Sequence, residues 1–482
     1  IMKLALRIIG LVTASLLIIV LVRTFNFQSP EKYSAYDRLE VKAYPDILAK
    51  ALSFETISHK AGMIDDSAFS KFHLFLENSF PLVHQKLKLE KLNKYSLLFH
   101  WEGLDPQLDP IVIMAHQDVV PAEYSSLDKW DYPPFSGVQT DSFIYGRGSL
   151  DDKGSLISIL NACEELLKIN FKPNRSMLFC FGHDEEIGGK DGGLAIAQLL
   201  ENRGIRAHMV LDEGGNIVSG LVPGIDKPVA LVGTSEKGYV SLELSAEIPG
   251  GHSSMPNSKT AIGQINKALY KLEQNPLPNR ITEPLHGFIS CIGPELPFSQ
   301  KMAFANTWLF QPLIFKVYEG SASGSALIHS TQVATIFQSG IKDNVIPNRA
   351  KATVNYRLLP GDEPSFILER ARKLIGDSLV KIRIFEDFSI SASPVSDYKS
   401  EAFRSIGKSI KAVFPEAIVS PYLVIAATDS RHFYNISDHV YRFAPIVLTK
   451  EDLPRLHGIN ERISILGYEK SVRFYATLMK NS

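Results

Sequence analysis

The sequence predicts an α/β protein with a central, mostly parallel sheet, interrupted by a smaller α+β unit. Three observations predict it. From about residue 45 to 235, short apolar runs alternate with amphipathic ones in a βαβαβ series, which implies parallel strands with right-handed crossovers. Near residue 236 the rhythm becomes period-two alternation with helices and strands mixed, and after about residue 395 the first style returns. At 482 residues the chain is also too long for one simple core.

The first element is an apolar terminus, "IMKLALRIIGLVTASLLIIVLVRTF", in which Lys3 and Arg7 precede an unbroken apolar or small run from Ile8 to Val22. That run is shorter than the about 20 residues a spanning helix needs and suits a signal-peptide core. Leu4 to Leu6, with Arg7 snorkelling, would extend it far enough to anchor, and no A-x-A site follows. For residues 1–30 the expectation is a signal anchor with the large domain on the non-cytoplasmic side. A cleaved signal peptide and secretion is the alternative.

In the expected first α/β part, residues 45–235, "YPDILAKALSFET" and "AFSKFHLFLENSFPLVHQKL" have helical spacing and "YSLLFHWEG" that of a strand. "PIVIMAHQDVV" is a short β-branched run of the central parallel kind. The helix "GSLISILNACEELLKI", the strand "RSMLFCFGHDEE", the helix "GGLAIAQLLENRG" and the strand "AHMVLDEGG" follow. In the insert, residues 236–390, "KGYVSLELSAEI" alternates as an antiparallel strand does, "QVATIFQSG", "KATVNYRLLPG" and "VKIRIFEDF" are strands, and "KTAIGQINKALYKLEQ" and "SFILERARKLIG" are helices. The Pro-containing piece from Asn275 to Gly324 looks like an embellishment of this insert. Residues 391–482 form the second α/β part, with "EAFRSIGKSIKAVF", "YLVIAATDSRHF" and a final helix, "GYEKSVRFYATLMK".

Bulk composition excludes some functions. A net charge of −1 lacks the basic excess of a nucleic-acid binder. Cys163, Cys180 and Cys291 stand apart without CxxC spacing, so they make neither a disulfide framework nor a thiolate zinc cluster.

Ligands of open α/β sheets gather beyond the carboxyl ends of the strands, so the residues there are informative. His116 and Asp118 follow "IVIMA", and Asp151 and Asp152 follow "IYGRGSL". Asp184, Glu185 and Glu186 follow "MLFCFG", Asp212 and Glu213 follow "HMVL", and "PRLHGINER" adds His457 and Glu461. Taken singly, each could cap a helix or make a turn. Together, about six acidic groups in one pocket would be unstable unless cations neutralised them. Nitrogen and oxygen donors without thiolate suit two divalent ions, zinc with cobalt or manganese as alternatives. Residues i and i+2 share a face of an extended chain, so Asp118 can accept the spare imidazole N–H of His116 and raise its basicity.

"AHQDVVP", "GRGSLDDKG", "DEEIGG", "LDEGG", "SEKGYVSLELS", "GGHSSMP", "DNVIPNRA", "TDSRHF" and "LHGINER" occur in that order. Together they resemble the zinc-dependent aminoacylase/carboxypeptidase metallopeptidase family, in its branch of carboxypeptidase S and the N-fatty-acyl-amino acid hydrolases. The similarity runs from about residue 45 to 480. It implies a two-metal phosphorylase/hydrolase-like catalytic domain interrupted by a smaller lid or dimerisation domain. Asp151 would bridge the metals, with a cis peptide to Asp152. His116 and Glu213 would complete one metal site, Glu186 and His457 the other, and Asp212 keeps the Glu213 assignment open. Glu185 would be the general base, accepting a proton from a metal-shared water and delivering it to the leaving amine. His252 would donate to the oxyanion, from the partner subunit in dimeric members. Arg357 would bind the substrate's free carboxylate, assisted by Asn344.

The implied reaction is hydrolysis of an amide next to a free α-carboxylate, in N-acyl amino acids or short peptides. Its alternatives are an aminopeptidase of the same clan, against which Arg357 argues, and a membrane-tethered binding protein without activity. The apolar stretch "FANTWLFQPLIFKVY" and the apolar terminus fit long-chain acyl substrates; the stretch could equally pack the core of the lid.

Overall fold

The computed structural model describes residues 2–31, 33–60 and 63–482. Its larger sheet has ten strands. At its centre Ile111–His116 lies between Met177–Gly182 and Met209–Asp212, parallel to both. All residues of the three strands are buried, as a parallel strand covered on both faces requires. Alternation sorts the side chains between two cores. Ile111, Ile113 and Ala115 join the cluster that holds the helices Lys153–Lys168 and Ile465–Lys480, while Val112 and Met114 face the helix Gly193–Asn202. Full burial of each large apolar side chain contributes about 1.5–3 kcal/mol.

Val440–Arg442 continues the parallel set beside Met209–Asp212, and Val229–Glu236 pairs parallel with Ile418–Val424 further out. On the opposite flank Ser96–Trp101 is antiparallel to Met177–Gly182 and forms a hairpin with Lys88–Leu92. The sheet is therefore largely parallel at its centre and mixed at its edges.

The second sheet has four antiparallel strands in the order Thr331–Ser339, Arg349–Leu358, Gly238–Glu247, Val380–Ile390. The helices Ala261–Glu273 and Pro364–Ile375 close one face over Val240, Leu242, Val354 and Tyr356. Thr260 caps the first of them, accepting the Gly263 N–H, and Gly376 ends the second with φ +55°. The period-two alternation of "KGYVSLELSAEI" thus corresponds to a central antiparallel strand.

Two features differ from the sequence expectation. The piece from Asn275 to Gly324 embellishes the four-stranded sheet only at its start, where Leu277 joins that core; its helices pack elsewhere. Leu285, Phe288, Ile289 and Ile292 of the helix Glu283–Ile292 pack with Val218 and Val229 of the large sheet, because their apolar face matches that sheet's open edge. Asp151 does not follow a strand of the large sheet: the preceding strand, Phe143–Tyr145, pairs in a separate ribbon with Arg462–Ser464. At the N-terminus the helix runs the full length from Met2 to Phe25, longer than the apolar run alone. All three cysteines are buried and free, as their settings suggested.

Candidate active site

The parallel register brings the acidic segments to one edge. His116, the last residue of its strand, stands opposite Gly182, so both strands end level. Three residues beyond Gly182 the chain makes a single helical turn, Glu185–Ile187. Gly188 and Gly189, with φ of +107° and +66°, fold it back; a Cβ at Gly189 would collide with the Asp429 carboxylate.

Asp118 organises this corner. It is fully buried, its Oδ1 accepts the Glu185 N–H at 3.2 Å, and its Oδ2 accepts the Glu186 N–H at 3.1 Å. Its Oδ1 also lies 3.3 Å from His116 Nδ1. The nearer acceptor for that ring nitrogen is the Asp118 main-chain oxygen at 2.9 Å. The carboxylate expected to orient one imidazole therefore holds the Glu185–Glu186 backbone as well, since the turn leaves two N–H groups unpaired at the strand end.

Asp151 stands between the two imidazoles. Its Oδ1 is 2.8 Å from His116 Nε2 and its Oδ2 is 2.9 Å from His457 Nε2. Glu186 Oε1 is 3.4 Å from the same His457 nitrogen. His116, Asp151 and Glu186 each offer a ligand atom within 4.8 Å of the others. The Asp151–Asp152 peptide is cis, as the family pattern implied.

The loop that carries Asp151 is tied to the loop that carries His457. Glu461, fully buried, accepts the N–H groups of Gly148 and Leu150 at 3.0 and 2.8 Å and pairs with Arg147. Arg147 also donates to the His457 carbonyl at 3.0 Å. Glu461 is thus a brace beneath the site rather than a member of it. Arg147 was passed over in the sequence because its motif drew attention to the aspartates instead. On the third strand, Asp212 Oδ2 is engaged by the Ser430 N–H at 2.8 Å. Glu213 faces the charges of Asp151, Asp152 and Glu185.

The electrostatics are those of a cation site. Burial, reinforced by neighbouring carboxylates, pushes the carboxyls of Glu185, Glu213 and Asp152 well above the usual range. Burial would lower His116, but its contacts with Asp118 and Asp151 outweigh that and raise it well above an ordinary imidazole. Hydrogen bonds to Asp151 and Glu186 lift His457 to about 10. Burial would raise Asp151, yet the two imidazoles hold it well below the carboxylate range. Carboxylates driven toward neutrality around imidazoles drawn toward the cationic form fit divalent ions, and the donor set of nitrogen and oxygen suits zinc, manganese or cobalt.

The remaining sequence-predicted residues lie elsewhere. His252, exposed, sits on the short strand Gly251–His252 paired with Val345–Ile346, its Nδ1 2.8 Å from Ser254 Oγ. Asn344 is beside it, its carbonyl accepting the Ser253 N–H. Arg357, on the strand Arg349–Leu358, stacks its guanidinium 4.9 Å from the Tyr239 ring centre. Among the described residues no hydrogen bond or ion pair links these three to the His116–Asp151–Glu186 cluster: Arg357 lies on the second sheet, and His252 and Asn344 on and beside a separate two-stranded ribbon. The sequence reading missed Lys237, at the junction of the two sheets, whose Nζ donates to the carbonyls of Ala326 and His329. Burial and the nearby Arg357 charge push its amine down to about 7.

Imidazoles and carboxylates converging at the carboxyl edge of a parallel sheet, beside a second antiparallel sheet, define a metal-dependent hydrolase. Residues 112–481 match the description of peptidase family M20/M25/M40, and the chain belongs to that family. It is 42% identical over 459 residues to the probable carboxypeptidase S-like 2 of Dictyostelium discoideum, covering 94% of this chain and 88% of the relative. It is 37% identical over 457 residues to the N-fatty-acyl-amino acid synthase/hydrolase PM20D1 of Mus musculus, covering 94% and 90%. With carboxypeptidase S of Saccharomyces cerevisiae it shares 31% identity over 453 residues, 84% and 77% of the two chains. Among solved structures, the M20 family metallo-carboxypeptidase Sso-CP2 of Sulfolobus solfataricus superposes with a TM-score of 0.67 at 20% identity, covering 91% of this chain and 99% of that one, which shows the shared fold.

Proposed function

We propose that the protein hydrolyses an amide bond next to a free α-carboxylate, in N-acyl amino acids or at the C-terminus of short peptides. The observation that carries this is Asp151, whose two oxygens meet the imidazoles of His116 and His457 while the buried Glu185 feels the charges of His116 and Asp151. His116, Asp151 and Glu213 would hold one divalent ion and Asp151, Glu186 and His457 the other, most simply zinc. Such ions, when bound, lower the pKa of water and polarise the amide carbonyl. Asp212 is engaged with Ser430, which favours Glu213 as the third-strand ligand.

Glu185 takes a proton from the attacking water as its oxygen bonds to the carbonyl carbon. It then gives that proton to the amide nitrogen as the C–N bond breaks, releasing a carboxylate and an amine. His252 donates to the oxyanion, brought to the site by closure of the second sheet's unit or from the partner subunit of a homodimer. Arg357 clamps the substrate carboxylate and Asn344 adds a polar contact. The helix Met2–Phe25, long and apolar enough to cross a membrane, serves as the membrane segment, with the catalytic body on the non-cytoplasmic side or, after cleavage, secreted.

The decisive measurement is hydrolysis of an N-acyl amino acid series and of short peptides by the metal-loaded protein. Glu185→Gln should retain metal and lose ~10²–10⁴-fold in turnover. A fully loaded protein that cleaves neither substrate class would overturn the assignment. N-oleoyl against N-acetyl forms of one amino acid reports the acyl preference. The N-fatty-acyl relatives favour the long chain.

A further inference from the structure

The helix Met2–Phe25 is exposed along its length except near its C-terminal end, where Val20 and Thr24 are buried. There it is bolted to the segment before the helix Thr307–Tyr318. Asn306 Nδ2 donates to the Val20 carbonyl and to Thr24 Oγ1, both at 3.2 Å. Arg23 donates to the Ala305 carbonyl at 3.3 Å, and the Phe25 and Phe298 rings lie 5.8 Å apart. The free stretch from Met2 to Ile19 spans roughly 27 Å at 1.5 Å per residue, close to the about 30 Å hydrocarbon core of a bilayer. The bolted end therefore marks where the helix leaves that core.

The helix Thr307–Tyr318 begins at this point and is apolar on both sides. Ile314 is buried, and Phe315 and Tyr318 pack inward against the cluster on the large sheet. Trp308, Leu309, Leu313 and Val317 face outward, 38–68% exposed, at helical spacing that gathers them into one stripe. A helix facing water carries polar residues there. Lys316 stands in the last turn, where a snorkelling ammonium reaches headgroups.

We propose that the outward stripe of Thr307–Tyr318 is a second membrane contact, lying in the interfacial layer of the bilayer that takes Met2–Phe25. The helix lies shallow, its apolar stripe sunk about 5–10 Å, with Trp308 at headgroup level. Two contacts fix the orientation of the catalytic body over the membrane, where one flexible tether would not. The inference rests on the membrane reading of Met2–Phe25.

The chain has three tryptophans. Trp101 and Trp130 are buried, so Trp308 alone is open to an added quencher. The full chain, reconstituted in phosphatidylcholine vesicles with brominated acyl chains, should lose up to about one third of its emission, and Trp308→Phe should abolish that loss. The double variant Leu309→Glu, Leu313→Glu should still float with vesicles yet escape bromine quenching. A chain that floats while Trp308 is quenched by aqueous iodide and not by bromine overturns the second contact alone. Shielding from both quenchers points to another copy seated on the stripe and also overturns it. A chain that does not float removes the membrane reading and this contact together.

Discussion

Asp118→Asn tests whether the buried carboxylate under the metal ligands acts through them. In the wild type Oδ1 serves the Glu185 N–H and His116 Nδ1, and Oδ2 serves the Glu186 N–H. An asparagine keeps one oxygen. If its amide nitrogen takes the Oδ1 position, two donors confront a donor; at the Oδ2 position only one does, so that flip is favoured. The Glu186 N–H then loses a charge-assisted bond, at a cost of about 1.5–3 kcal/mol. Because Glu186 is a proposed ligand, the loss should appear as a ~10–100-fold weaker metal affinity, the range typical of groups that orient ligands. Competition against a fluorescent chelator measures it, and turnover at saturating metal should recover most of the wild-type value. Asp118→Ala, which removes all three interactions, should be worse on both counts. Wild-type metal affinity in Asp118→Asn would refute the argument, since nothing else then makes the shared carboxylate necessary.

Three further outcomes follow from the same geometry. Glu461→Gln leaves Arg147 buried without its charge partner, a loss of about 3–5 kcal/mol; thermal unfolding should fall and metal affinity with it, while KM at saturating metal stays near wild type. In chelated protein, Glu185, Glu213 and Asp152 have raised folded pKa values, as do His116 and His457. Their stabilising contribution is complete below the unfolded values and is lost as pH rises through the folded ones, while buried imidazoles such as His73 and His432, lowered to about 4, act in the opposite sense; the rise in melting temperature that zinc brings should therefore be larger at pH 7 than at pH 5, and an equal or smaller rise would count against it. Arg357→Lys should raise KM with little change in kcat, because an ammonium cannot grip a carboxylate bidentately, and blocking the substrate carboxylate as an amide should erase the difference between the two proteins.

The parallel core and the convergence of strand-end imidazoles and carboxylates were legible because period, β-branched composition and position encode them locally. "PIVIMAHQDVV" announces a central strand and places His116 at its end. What local pattern does not encode is who braces whom. The Asp118 contacts to the Glu185–Glu186 backbone cross 67 and 68 residues, and the Glu461 contacts to Gly148 and Leu150 cross 313 and 311. The helices between Asn275 and Gly324 were assigned to the wrong sheet for a related reason. Their apolar faces are evident in the sequence, but the surface that accepts them is assembled from Val218, Val229 and Ile418, which are distant in the chain.

The pairing of Glu185 with Glu186 depends on this long-range assembly. A carboxyl works as a general base near neutral pH only if its surroundings oppose ionisation. Around Glu185 that opposition comes from burial and from the charges of Asp429, Glu186 and Asp151. Two of those three, Glu186 and Asp151, are the carboxylates that offer ligand atoms with His116. The crowding of acidic groups that makes the site costly without cations is thus the same crowding that tunes its base. In metal-free protein, removing Glu186 or Asp151 should therefore lower the pKa of Glu185, because a neighbouring negative charge is lost. Asp118 holds both glutamates by their backbones and leaves their side chains free to divide the work, one toward His457 and the other toward a proton.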